Sequence, residues 1–206
     1  MKLYLVRHTE SISNKNGTVS DAISPLTKEG VVQARYLGKR LASLENFSAI
    51  YFSPFIRAKQ TAEIIASCFK NPNLIKTDLI IEKKDASICE GKARKEMPWD
   101  LIKKMRIDPD WRQEDGESFN DVKKRVIASL AELEKYGDET NIIIVTHNSF
   151  IKHLVSYITL GDKFTPEFFY PITDRLGTRN GGITILEKKQ KYYETKPSWY
   201  LESWMA

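Results

Sequence analysis

The sequence predicts an α/β fold, a three-layer αβα sandwich with a mostly parallel central sheet and a C-terminal hairpin at the edge. Three observations predict it. Short β-prone apolar runs alternate with longer segments of helical periodicity, the pattern of a parallel sheet covered on both faces. One run, Ile142-Ile143-Ile144-Val145, is apolar at every position, as a strand buried on both faces requires. Near the end, Gly182 to Glu187 and Tyr192 to Thr195 are β-prone and flank the polar Lys188 to Lys191. No repeat, low-complexity tract or linker interrupts the chain. It reads as one unit over residues 1–206, with an excursion at about 82–115.

The elements follow in order. Lys2 to Val6 reads as the first strand, and Thr9 to Ser24, rich in Ser and Asn, as a loop. Thr27 suits a helix N-cap, with Leu26 and Val31 placed for a hydrophobic staple. Val31, Ala34, Leu37, Leu41 and Leu44 recur at helical spacing and form the apolar stripe of that helix. Ser48 to Ser53 is a second strand. Pro54 then favours a helix start, and Ala58, Ala62, Ile65 and Phe69 line one face of Phe55 to Phe69. Leu74 to Ile81 is a weaker strand candidate. Within the excursion, a short helix is expected near Trp99 to Arg106. Ser118 suits a cap for a helix that buries Val122, Val126, Leu130 and Leu133. Asn141 to Thr146 is the clearest strand, and Asn148 to Leu160 its following helix.

Composition bounds the function. Hydrophobic residues make up 41% and charged residues 29%, enough for a core and a soluble surface. No apolar run approaches the roughly 20 residues of a transmembrane helix. The N-terminal apolar stretch is too short for a secretory signal. Cys68 and Cys89, the only cysteines, suggest reduced thiols rather than a disulfide framework. An intracellular, cytoplasmic protein is therefore expected, with no membrane partner. The net charge of +5 mildly favours anionic ligands. The basic residues are dispersed and accompany no nucleic-acid motif, so no nucleic-acid partner is expected. No Cys/His spacing suggests zinc. Nothing in the sequence specifies an oligomeric state.

In such sheets ligands bind beyond the carboxyl ends of the strands. Arg7-His8 ends the first strand, Arg57 lies in the first turn after the second, and His147 follows the strand ending at Thr146. A lone histidine is usually structural, and His153, inside a predicted helix, is read that way. Two histidines and two arginines delivered to one rim point instead to a shared site.

These residues carry a resemblance. Arg7-His8-Thr9-Glu10 resembles the Arg-His-Gly-Glu signature of the histidine phosphatase superfamily, in its phosphoglycerate mutase-like branch. Asn14 stands where that family commonly has asparagine. Leu26-Thr27-Lys28-Glu29-Gly30 with Gln33-Ala34, Ser53-Pro54-Phe55-Ile56-Arg57-Ala58-Lys59-Gln60-Thr61, Gly116-Glu117-Ser118 with Arg125, and Val145-Thr146-His147 resemble its further blocks, in order. The resemblance implies that His8 is a nucleophile forming a phosphohistidine. It also implies that Arg7, Asn14, Arg57 and His147 hold the phosphate. Arginine suits the role because its planar, permanently charged fork matches phosphate oxygens. Phosphoryl transfer needs mainly positioning and charge stabilisation, which these cations supply without a metal or other cofactor. The expected function is hydrolysis of small phosphomonoester metabolites. The alternatives are a mutase-type transfer to a bound acceptor and an inactive phosphate-binding module. The loop from Thr9 to Ser24 then reads as a wall facing the substrate.

Three departures stand out. Thr9 occupies a position that is usually glycine and is expected to narrow the pocket, and Asn148 follows His147 where glycine is common. The proton donor to the leaving group is the third. Glu82, ending a strand-like run, is preferred, with Asp85 and Glu90 as alternatives; a gapless match anchored on Glu90-Gly91 would put Lys83 there. Lys15, Lys92, Arg94 and Lys95 read as solvent-exposed before any contact with a second anion. Trp99, Trp111, Trp199 and Trp204 read as packing residues.

Overall fold

A computed structural model describes residues 1–19, 21–97 and 99–206, with only the backbone of Arg94 and Trp99. The chain runs β1 (Lys2–Arg7), α1 (Ile12–Asn16), α2 (Lys28–Leu44), β2 (Ala49–Phe52), α3 (Ile56–Ala66), β3 (Leu74–Lys76), α4 (Trp99–Ile107), α5 (Phe119–Leu133), β4 (Asn141–Thr146), α6 (Asn148–Leu160), α7 (Pro166–Thr173), β5 (Ile183–Lys189) and β6 (Ser198–Ser203). Among the described residues six strands form one sheet in the order β3-β2-β4-β1-β5-β6. The first four are parallel to one another; β5 pairs antiparallel with β1, and β6 antiparallel with β5, closing one edge.

The period of two in a strand sorts the core into two layers. Leu3 and Leu5 of β1 and Ile142 and Ile144 of β4 face α5 and α6, packing with Val122, Val126, Phe150 and Leu154. Tyr4, Val6, Ile143 and Val145, the intervening residues, face α2 and α3, packing with Leu37, Leu41, Ala62 and Ile65. Each fully buried Leu or Ile contributes about 1.5–3 kcal/mol. The apolar run of β4 is thus explained by burial from both sides. Gly38 lets α2 meet α3 closely: a Cβ there would lie 2.7 Å from Cys68 Sγ and 3.1 Å from Ile65 Cα.

The expected caps form. Thr27 accepts from the Gly30 amide, and Ser118 makes a reciprocal capping box with Asp121. The stripe of α2 is shorter than its spacing suggests, because Leu44, in the last turn, is exposed and Val31 only half-buried. Three expectations need correction. The run from Leu74 to Ile81 is a strand only to Lys76; Thr77 then accepts from the Leu79 amide and turns the chain into a 3-10 helix over Asp78–Ile80. The second hairpin strand is not Tyr192 to Thr195 but Ser198–Ser203. Tyr192 and Tyr193 project from the connecting turn, with Tyr192 almost fully exposed. The expected loop after β1 contains α1, capped by Ser11 and ended by Gly17 at a φ of 67°. No helix among the described residues is long and apolar enough to cross a membrane.

The excursion after Ile81 contains short 3-10 helices over Ser87–Cys89 and Arg94–Glu96, then α4. It is stitched to the loop after α1. The Val19 amide donates to Lys92 O at 2.9 Å, the Gly91 amide to Val19 O at 3.0 Å, and Thr18 bridges Ala93.

Candidate active site

The carboxyl ends of β1, β2 and β4 form one rim. The His8 amide donates to Thr146 O at 2.9 Å, and the Ser53 amide to Val145 O at 3.1 Å, so the three strand ends are held in register just where the side chains diverge. His8, Arg57 and His147 are almost entirely buried, at 3%, 1% and 0% exposure. The rings of His8 and His147 are 5.2 Å apart, centre to centre.

Two contacts fix the protonation pattern of His8. Its Nδ1 lies 2.8 Å from Thr9 O. A carbonyl can only accept, so Nδ1 carries the proton. Its Nε2 receives a hydrogen bond from Arg57 Nε at 3.2 Å, and a guanidinium can only donate, so Nε2 carries the lone pair. Burial, and then the charges of Arg57 and Arg7, push the His8 pKa well below the ordinary histidine value. The neutral imidazole therefore presents a basic nitrogen at the tip of the ring, beside a guanidinium.

Arg57 also donates from Nη1 to Asp21 O at 2.6 Å, which ties the arginine to the loop after α1. Its guanidinium carbon stands 5.2 Å from the centre of the Phe55 ring, whose edge meets His147. His147 bonds through Nε2 to Ser53 Oγ at 2.8 Å, while its buried Nδ1 has no partner among the described residues. Burial and the neighbouring Arg57 also lower its pKa well below the usual value. His147 stands at the N-cap position of α6, so the positive end of a 13-residue helix faces the same rim. Arg7 donates from Nη1 to Thr178 Oγ1 at 3.2 Å.

The Asn14 side-chain oxygen accepts from the Ser11 amide at 3.3 Å, Ser11 Oγ at 3.0 Å and Asn180 Nδ2 at 2.9 Å. Its amide nitrogen is thereby turned away from these donors. Asn180 also donates to His8 O at 3.1 Å. Ser53, Thr178 and Asn180 are thus supporting residues that the sequence reading did not single out. Asn180 and Thr178 just precede β5, whose antiparallel start meets the end of β1. Thr9 is fully buried, with its hydroxyl 3.2 Å from Thr61 Oγ1 of α3. Its side chain packs toward that helix, so the expected narrowing of the pocket is not where its bulk goes.

Glu82 follows the 3-10 turn after β3. Its Oε1 accepts from the Ser149 amide at 2.9 Å, the Phe150 amide at 3.3 Å and its neighbour Lys83 at 3.0 Å. The carboxyl thus sits on the first turn of α6, two residues from His147. Burial raises its pKa; Arg57 and Arg7 are close enough to oppose that rise but do not overcome it. Asp85 is exposed and 4.0 Å from Lys83 Nζ, and Glu90 is exposed beyond the 3-10 helix over Ser87–Cys89. Neither shares the surroundings of Glu82. Lys83 turns away, its Nζ 4.0 Å from Met105 Sδ.

Lys15, Lys92 and Lys95 are exposed, as expected. The side chains of Arg94 and Trp99 lie outside the described residues. Trp199 and Trp204 pack at the core edge and donate to Glu134 Oε1 and Gly177 O, and Trp111 is half-buried. His153 is buried among Phe119, Phe164 and Phe169, away from the rim chemistry. Among the described residues, no group of three or more His, Cys, Asp or Glu is arranged to hold a metal ion.

The sequence model of the histidine phosphatase superfamily (branch 1) matches residues 3–196. The chain belongs to this superfamily. A 2,3-bisphosphoglycerate-dependent phosphoglycerate mutase of Thermoplasma acidophilum is 29% identical over 89% of this chain and 85% of its own length. Phosphoserine phosphatase 1 of Hydrogenobacter thermophilus is 34% identical over 71% of each chain. The structure of a phosphoserine phosphatase variant of Entamoeba histolytica, in complex with phosphoserine, has a TM-score of 0.80 at 25% identity, covering 100% of this chain and 96% of that one. Histidine phosphatases of this kind are phosphomonoester hydrolases, and the α/β sandwich described above is their fold.

Proposed function

We propose that the protein hydrolyses small phosphomonoesters through a phosphohistidine on His8. The observation that carries this reading is the pair of bonds that leaves the lone pair on His8 Nε2, a neutral nucleophile already aligned with a guanidinium. In the first half-reaction Nε2 attacks phosphorus, the Nε2–P bond forms, and the bond to the ester oxygen breaks. Arg7, Arg57, Asn14 and His147 hold the three phosphoryl oxygens and stabilise the charge that spreads over them. Glu82, whose pKa burial raises, gives its proton to the departing alkoxide. In the second half-reaction the Glu82 carboxylate takes a proton from water. The water oxygen bonds to phosphorus, and the Nε2–P bond breaks. Alcohol and inorganic phosphate leave, and the starting protonation state is restored.

A second reading is transfer of the phosphoryl group back to a bound acceptor. The mutase relative favours it, because the likeness spans most of both chains. The same residues serve either fate.

The test is phosphate release from a panel that includes phosphoserine, 3-phosphoglycerate and p-nitrophenyl phosphate, on the wild type and His8→Ala, with chelator present. The expected result is release that survives chelator, disappears in His8→Ala, and proceeds through an acid-labile phosphoenzyme. Phosphate moved to an acceptor without release would select the mutase reading. A folded wild type that neither releases nor transfers phosphate would refute both.

A further inference from the structure

The segment that carries Glu82 is held by an ion pair that the reaction itself does not use. Arg125 of α5 makes two parallel bonds to Glu117, Nε to Oε1 at 2.7 Å and Nη2 to Oε2 at 2.7 Å. Its remaining nitrogen, Nη1, donates to Leu79 O at 3.0 Å and Ile81 O at 3.1 Å. Glu117 closes the loop on the other side. Its Oε2 accepts from the Lys84 amide at 2.8 Å, and its own amide donates to Lys84 O at 2.9 Å. Thr146, the last residue of β4, donates to Ile80 O at 2.6 Å. Backbone groups on both sides of Glu82 are therefore anchored, at 79, 80 and 81 before it and at 84 after it. Arg125 and Glu117 are both mostly buried, at 14% and 15% side-chain exposure.

Glu82 needs that hold. Its segment is neither helix nor strand at that point, so no ladder of backbone bonds fixes it. The carboxyl must stay seated on the Ser149 and Phe150 amides. A planar fork held by two bonds and bridging two carbonyls does this where a lysine could not, because lysine offers a single point of attachment.

We propose that Arg125 and Glu117 are positioning residues that set the place of Glu82. This rests on the reading of Glu82 as the proton donor. The consequence is selective. Proton donation matters for an alkyl phosphate, whose alkoxide leaves poorly, and hardly matters for p-nitrophenyl phosphate, whose phenolate leaves unaided. Loss of the clamp should therefore depress alkyl substrates alone.

The experiment compares kcat/KM for p-nitrophenyl phosphate and for the best alkyl phosphate in the wild type, Glu82→Gln, Arg125→Lys, Glu117→Gln, and each clamp variant combined with Glu82→Gln. Thermal unfolding confirms that each variant is folded. General acid catalysis is worth about 10²–10⁴-fold. The expectation is a loss of about tenfold or more on the alkyl substrate in both clamp variants, with the aryl rate within about twofold of wild type. In the Glu82→Gln background the clamp changes should add nothing further. Equal losses on both substrates, or full additivity with Glu82→Gln, would overturn the positioning role while leaving Glu82 as the acid. A Glu82→Gln variant with no selective loss would overturn the acid assignment itself, and the clamp proposal with it.

Discussion

Replacing Asn180 by aspartate tests the architecture around His8, the proposed nucleophile, without touching a residue given a chemical role. Asn180 Nδ2 donates to His8 O at 3.1 Å and to Asn14 Oδ1 at 2.9 Å. Removing the donor, as in Asn180→Ala, loses two bonds of about 1 kcal/mol each. Asn180→Asp does more, because it turns a carboxylate oxygen toward two oxygens that can only accept. That adds about 1–3 kcal/mol for groups left without partners. The two lost bonds appear as stability: a chain of this length loses about 2–4 °C in Tm per kcal/mol, so Asn180→Ala should melt about 4–8 °C lower. The same loss lets the Asn14 amide and the His8 backbone misorient, which is read separately in activity. The two Ser11 bonds still hold Asn14, so Asn180→Ala should lose about tenfold in kcat/KM, equivalent to about 1.4 kcal/mol, and Asn180→Asp about a hundredfold. The assay is kcat/KM for p-nitrophenyl phosphate, which reports the phosphate pocket and not the proton donor. An Asn180→Asp enzyme within twofold of wild type would refute the claim that this amide couples His8 to Asn14 in the proposed phosphate pocket.

Three other outcomes are expected. Gly30→Ala would put a Cβ 2.1 Å from Glu10 O, a backbone atom two residues from His8. The gain in helix propensity, about 1 kcal/mol, does not offset that overlap, and a net loss of about 1–3 kcal/mol should be seen by urea unfolding. Ser53→Ala leaves His147 Nε2 without its partner inside a dry site, so kcat/KM should fall by about tenfold or more in the same aryl assay. His8, His147 and His153 all have pKa values lowered by burial, the last to about 3. The unfolded chain therefore binds protons below about pH 6.5 that the folded chain refuses. Stability from these groups is complete above that pH and is lost as pH falls, with a limiting slope of about 4 kcal/mol per pH unit for three histidines. His153→Phe should remove about a third of the slope in unfolding titrations between pH 7 and 5.

What could be read from the sequence followed from how local its causes are. Thr27 and Ser118 announce their helices because a cap bonds within its own turn. The run of β4 announces burial on both faces because every residue in it is apolar. The rim residues were legible because strand ends in a parallel sheet share an edge, so three separate segments could be assigned to one place. The failures come from causes that act at a distance. The aromatic pair Tyr192-Tyr193 has high strand propensity, but the hairpin register puts it in the turn, and the true edge strand begins after Pro197. α7 went unrecognised because Phe168, Phe169, Tyr170 and Pro171 look unlike a helix; α4 and α6 pack against it. Ser53, Thr178 and Asn180 carry no local mark. Only the antiparallel return of β5 brings Asn180 beside His8, 172 residues away in sequence.

The stitch between the loop after α1 and the excursion has a consequence for how such an enzyme changes its diet. Residues 18–19 and 91–93 share backbone bonds, and Asp21, two positions beyond, holds Arg57 through its carbonyl. Lengthening or replacing the excursion alone would tug on the guanidinium at the heart of the site. A graft that exchanges substrate range between family members should therefore carry both segments together, as one cassette, and leave the rim beneath it unchanged.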